Sequence, residues 1–200
     1  MFFSESCAPY LQDMIKMTIP DFEIAVNIWY DKDMKKVIII GCPGSGKSTL
    51  ARKLSHMTKL PLYHLDLMNW QSNKTTVAPE LFLEQQKQLL EKEAWIIDGN
   101  YGSSLELRFE GCDTIVFLDY PLEVCLEGVM DRVGTVRPDM PWVEETLDDD
   151  FLDFIKGFPK TNRPKIVALI NRYSHKTCFR LKSREEADSF LQKIKKSFQS

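Results

Sequence analysis

The run Gly41-Cys42-Pro43-Gly44-Ser45-Gly46-Lys47-Ser48-Thr49 fits the spacing G-x-x-x-x-G-K-[ST]. Its glycines permit backbone conformations closed to other residues, so successive N–H groups can turn inward as a nest for an anion. A helix opening at Lys47 would add the positive end of its dipole. Lys47 can carry its charge to the β- and γ-phosphates of a nucleoside triphosphate, and Ser48 can offer its hydroxyl to Mg²⁺. A chance match in a chain of this length arises about once in a hundred. The context sharpens it, because a β-branched run precedes the loop and a helical pattern follows it.

Phosphoryl transfer also needs carboxylates, one near the metal and often another to orient the acceptor hydroxyl. Three aspartates fall at the C-terminal ends of predicted strands, where ligands bind in open α/β sheets. Asp98 ends Trp95-Ile96-Ile97 and is the metal-side candidate, together with Ser48. Asp66 follows Leu62-Tyr63-His64-Leu65 and is the candidate general base or acceptor contact. Asp119 precedes Tyr120-Pro121, which suits a cap for the following helix. His64 alternates with Asp66 along the strand end, and Trp70 could stack on a flat acceptor or fill the core.

Charge building up on the transferred group calls for cations. Four arginines, Arg108, Arg132, Arg137 and Arg163, stand where a kinase would want them, and at least two are expected to act. Seven acids between Asp139 and Asp153 read as a solvated, mobile edge of a lid near residues 132–150.

The elements that must position these groups alternate. Strands are predicted at Val37–Ile40, Leu60–Leu65, Ala94–Asp98, Thr114–Leu118 and Thr177–Leu181. Helices are predicted over Lys47–Met57, Pro79–Lys92, Pro121–Val133, Leu147–Ile155, Pro164–Arg172 and Glu185–Phe198. This rhythm gives an α/β fold, a mostly parallel sheet with helices on both faces. Residues 1–33 lack sustained periodicity and read as an extension to the domain at 34–200, or as a short helix and strand docked on it.

At 200 residues one domain is expected. Hydrophobic residues make up 44%, which excludes wholesale disorder. The net charge of −3 argues against a broad nucleic-acid-binding face. No apolar run is long enough to span a bilayer. Five cysteines without a CxxC spacing point to free thiols in a reducing compartment, and the N-terminus lacks a signal-peptide pattern. A cytoplasmic location is expected.

Val37–Thr49, His64-Leu65-Asp66, Asp98-Gly99-Asn100-Tyr101-Gly102 and Arg137-Pro138-Asp139-Met140 together resemble the adenylate-kinase-like family of topology-modulation proteins. The resemblance covers about Lys36 to Phe198. It implies a P-loop nucleoside/nucleotide kinase fold with sheet order 2-3-1-4-5, ATP and Mg²⁺ as cofactors, and a nucleoside or nucleotide as acceptor. It also implies a metal-water carboxylate beside the phosphate-loop strand, which matches Asp98. In the same way Arg132 and Arg137 would belong to a lid over ATP, with Arg108 and Arg163 facing the transferred phosphate or the acceptor. One departure stands out. Adenylate kinases carry an acceptor-side arginine after Thr-Gly-Asp-Met-Leu, whereas Leu65-Asp66-Leu67-Met68-Asn69-Trp70 has none. A hydroxyl acceptor near Asp66 therefore stands beside a nucleoside monophosphate. The other readings are an NTP-binding regulator or ATPase linked to DNA topology, without a small acceptor, and a nucleic-acid-associated factor.

Overall fold

The computed structural model describes residues 34–199, so the expectation for residues 1–33 lies outside the described residues. Its centre is β1 (Lys36–Gly41), whose Val37–Ile40 are wholly buried. β-Branched side chains on both faces of a strand suit a strand covered by helices on each side. β2 (Leu62–His64), β3 (Trp95–Asp98), β4 (Thr114–Leu118) and β5 (Thr177–Leu181) complete the sheet. All neighbours pair in parallel, in the order β2-β3-β1-β4-β5. The register sets Ile39 beside Asp98 and Gly41 beside Leu118, so the loop after β1 opens between the ends of β3 and β4. That crevice is where an open α/β sheet binds ligands.

The helices are α1 (Lys47–Thr58), α2 (Leu65–Asn69), α3 (Pro79–Leu90), α4 (Leu105–Gly111), α5 (Leu122–Met130), α6 (Asp149–Thr161), α7 (Arg163–Arg172) and α8 (Arg184–Gln199). α1 buries Leu50, Ala51 and Leu54, one face at helical spacing, and ends at Lys59 in the left-handed region, whose N–H reaches Ser55. Asp148 caps α6 by accepting from the Asp150 N–H. Pro159 sits inside α6, and Asn162 links α6 to α7.

β4 and β5 lie where the sequence places them, and the sheet order agrees with the resemblance. β2 ends at His64, before the predicted Leu65, because α2 begins there. Asp66 therefore lies in a helical turn rather than alternating with His64 along a strand. α4 was not predicted at all, since seven residues give too little periodicity to read. α6 runs to Thr161 rather than Ile155. Among the described residues, no helix is long and apolar enough to cross a membrane.

Candidate active site

The loop after β1 takes the shape its glycines allow. Gly44 (φ 81°) and Gly46 (φ 87°) are both left-handed, and α1 starts directly after them without a side-chain cap. The free N–H groups of its first turn thus face the cleft rather than a cap. Lys47 Nζ bonds the Cys42 carbonyl at 3.1 Å, folding the side chain across the loop. Cys42 is buried beside Cys125 of α5, and their contact and burial push its thiol up.

The loop tip packs directly on α5. A Cβ on Gly128 would lie 2.2 Å from the Gly44 carbonyl oxygen, and a Cβ on Gly44 would lie 2.0 Å from the Cys125 carbonyl oxygen. Both obstacles are backbone, so neither can swing aside. Gly128 is helical and needs no unusual φ, which makes it a clean probe of this approach. Gly128→Ala should weaken ATP affinity roughly tenfold or more, about 1.4 kcal/mol or above, by deforming the loop. Calorimetric titration of the variant checks this; unchanged affinity would show that α5 does not shape the loop.

The loop's base is fixed from β3. The Asn100 side-chain amide donates to the Gly41 carbonyl at 2.7 Å, and its Oδ1 accepts from the Gly41 N–H at 3.1 Å. This two-way bond ties the turn after β3 to the phosphate loop, a role the sequence alone did not single out. Asp98 is 4% exposed, and its Oδ2 lies 2.7 Å from His64 Nδ1. His64 thus orients a carboxylate on the strand beside β1.

The turn after Asp98 holds a second carboxylate in place. Tyr101 is left-handed (φ 36°), an uncommon state for a tyrosine, and its hydroxyl donates to Asp66 Oδ1 at 2.8 Å. The side chains of Asn69 and Trp70 approach the same hydroxyl. Burial raises the Asp66 carboxyl above the ordinary aspartate range, and the nearby Asp98 charge adds to this against the Tyr101 bond.

Arg108 corrects an expectation. It does not face an acceptor. It is fully buried, with Nη atoms on the carbonyls of Gly99 (2.5 Å), Asn100 and Tyr101 (3.0 Å). Burial pushes its guanidinium down to about 9, still protonated at neutral pH. Its role is to hold the turn that aims Asn100 and Tyr101. Arg108→Met should cost roughly 3 kcal/mol by stranding those carbonyls. That loss lowers the melting temperature by ~6–12 °C. A differential scanning melt that stays at the wild-type value would contradict this role.

Arg163 is also elsewhere than expected. Its Nε and Nη2 bond Asp119 at 2.7 and 3.0 Å, and Arg180 of β5 bonds the same carboxylate at 2.8 Å. Asp119 does not cap α5, whose N-cap position is Pro121 and which has no side-chain cap. Burial opposes ionisation of Asp119, but the two arginines outweigh it and leave the carboxyl below its usual range. The trio joins the end of β4 to α7 and β5, outside the cleft.

The segment at 131–148, where a lid is expected, is irregular, and the Gly134 N–H donates to the Glu144 carbonyl at 2.8 Å. Asp139 is not part of a solvated edge. It is 3% exposed, bonded by Arg137 at 2.6 Å and by Arg52 of α1 at 3.1 Å. Against the burial penalty, the bond and charge of Arg137, with a bond from Ser48, hold its carboxyl down to about 2. Glu144 takes Arg137 at 3.1 Å. Arg132 Nε lies 3.1 Å from the same carboxylate, but off the line of a hydrogen bond, and this buried nitrogen has no hydrogen-bond partner among the described residues. Burial and the neighbouring Arg137 both press the Arg132 guanidinium down. The remaining acids of the stretch, from Glu145 onward, are exposed as expected.

These parts border one cleft of about 1320 Å³. Lys47, Ser48, Arg132, Arg137, Asp66, Trp70 and Tyr101 all line it. A smaller recess of about 430 Å³ lies across the loop, between Tyr120, Arg132, Thr135 and Arg184.

A scan against protein-family models gave no match, and a search of curated proteins gave none. Solved structures share the fold. A shikimate kinase from Acinetobacter baumannii in complex with shikimate aligns with a TM-score of 0.54 at 15% identity, over 81% of this chain and 91% of that one. A sugar kinase from Janibacter sp. HTCC2649, unliganded, aligns with a TM-score of 0.52 at 16% identity, over 83% and 95%. The chain has the P-loop kinase fold.

Proposed function

We propose that the protein is an ATP- and Mg²⁺-dependent phosphotransferase acting on a small-molecule acceptor, with a nucleoside-like compound as the leading class. One observation carries this reading: the phosphate loop and the Asp66–Tyr101 pair line a single cleft. The two similar folds belong to kinases of hydroxylated small molecules, one of them holding shikimate, which supports a hydroxyl acceptor. The motif likeness to adenylate-kinase-like topology-modulation proteins supports the donor side.

The donor's phosphates would lie on backbone N–H groups between Gly44 and Ser48, with Lys47 released from the Cys42 carbonyl to meet them. Arg132, whose Nε is ion-paired with Glu144 but makes no hydrogen bond among the described residues, and Arg137 on the same carboxylate supply the positive charge that would meet the phosphates. Mg²⁺ takes few protein ligands beyond substrate phosphates and water. The Ser48 hydroxyl, close to the Asp139 carboxylate, with buried Asp98 on the adjoining strand, is an all-oxygen set that fits such an ion. Ser48 would hold it directly and Asp98 through water. When bound, the ion neutralises charge on the β- and γ-phosphate oxygens. Asp66 would accept the proton of the attacking hydroxyl, Tyr101 would steady that carboxylate, and the lid would exclude water. Following ADP release across nucleosides, nucleoside monophosphates and small hydroxylated metabolites tests the reading. Acceptor-stimulated turnover is expected; slow ATP hydrolysis indifferent to every acceptor would favour a regulator or ATPase instead.

A further inference from the structure

The cleft has a composition that the transfer chemistry does not require. Trp70, from the segment after α2, meets Trp142 of the lid edge-on, with ring centroids 5.4 Å apart at 87°. Phe151, Phe154, Leu105 and Ile166 line the same cleft, Phe151 beneath the Arg132 guanidinium. Into it projects one half-buried carboxylate, Asp66, tied to Tyr101.

The charges around this cleft matter as much. The two arginines that could have met an anion here are committed elsewhere, Arg108 to three backbone carbonyls and Arg163 to Asp119. Arg172 pairs with Glu106 on the rim. Lys74 and Lys165 border the cleft but are exposed, where water already solvates their charge. Glu145 and Asp148 line the same cleft. The buried cations that act on Asp66, Arg132 and Arg137, are paired with Glu144 and Asp139 and in the kinase reading serve the donor's phosphates, so an acceptor carrying a carboxylate or phosphate would have to shed its hydration beside Asp66 without a cation of its own.

We infer that the acceptor site is built for an uncharged alcohol bearing a flat ring, stacked on the Trp70–Trp142 pair with its hydroxyl at Asp66, and that it discriminates against anionic acceptors. This rests on the kinase reading above and narrows it. The ring supplies apolar and stacking contact, as large aromatic side chains do for flat partners. In the transfer itself the acceptor oxygen forms a bond to the γ-phosphorus and its proton passes to the Asp66 carboxylate. The bond from the γ-phosphorus to the β,γ-bridging oxygen breaks, and ADP leaves. Because Trp142 comes from the lid, acceptor binding and lid closure share one contact.

The test uses the full chain with Mg²⁺ and ATP, following ADP release with adenosine and uridine as flat uncharged alcohols. Their 5′-monophosphates, shikimate and gluconate serve as anionic probes. Trp70→Leu and Trp142→Leu are assayed beside the wild type, and each protein's ATP affinity is measured by calorimetry. The expected result is at least tenfold stimulation by an uncharged nucleoside and none by the anions. Its KM should rise at least fivefold in either tryptophan variant that melts like the wild type, with ATP affinity unchanged. Stronger stimulation by an anionic probe overturns the inference, as does no stimulation by either nucleoside, or a nucleoside KM indifferent to both substitutions. Intact ATP binding in those cases places the failure on the acceptor site. Absent ATP binding instead removes the kinase reading, and the inference with it.

Discussion

Lys47→Ala should lower ADP production by about two to three orders of magnitude, the usual cost of removing one preorganised charge from a developing anion. The side chain already spans the loop to the Cys42 carbonyl, so the loss reaches ground-state binding as well. ATP affinity should fall with turnover. Folding should change little, because Lys47 is only half-buried and no carboxylate pairs with it among the described residues. Arginine is a poor replacement, since its planar fork cannot follow the tight path of an ammonium inside the loop. Steady-state kinetics on Lys47→Ala with a matching melting curve checks both halves. A variant with wild-type turnover would remove the phosphate loop from the mechanism.

The second large effect belongs to Asp66. Asp66→Asn should cut kcat by about 10²–10⁴ while leaving ATP affinity close to wild type, since the amide cannot take the acceptor's proton. The pH profile gives an independent reading. A base must be ionised, and burial raises this carboxyl. The acid limb of kcat/KM should therefore lie above the ordinary aspartate value of about 3.9, and it should vanish in the variant. Stability moves the other way. As pH rises, the unfolded chain ionises this aspartate before the folded one does, so the group's unfavourable contribution is complete once pH exceeds the folded value. Asp66→Asn should be as stable as the wild type at neutral pH, or more so. An active, less stable variant would contradict both arguments, and would leave Asp66 a structural residue.

The opposite sign applies to Asp139. Its carboxyl is depressed to about 2, so the stability it contributes is complete above roughly pH 4 and is lost as pH falls toward 2. Between these limits Arg52 and Arg137 lose their shared partner.

The phosphate loop was legible in the sequence because everything that specifies it is local. Four β-branched residues, spaced glycines and a helix start lie within a dozen positions. β4 and β5 were equally plain as short apolar runs. What the sequence hid depends on partners far along the chain. Asp139 reads as one acid among seven until Arg52, 87 residues away, is seen to bury it. Arg108 and Arg163 have the residue type and the region expected of phosphate-binding arginines. Their actual partners are a strained turn and Asp119, which no spacing announces. Asn100 stood inside a recognisable motif, yet its bond to Gly41 crosses from one strand to the next. α2 and α4 are too short for a periodic signal, and they set the positions of Asp66 and Arg108.

The central claim is that the loop at residues 41–49 captures a nucleotide's triphosphate. Isothermal titration of ATP into the full chain at millimolar magnesium tests it most directly. The account predicts saturable heat at one site per chain, abolished in Lys47→Ala. A flat titration of the wild type, or an identical isotherm for the variant, would contradict it.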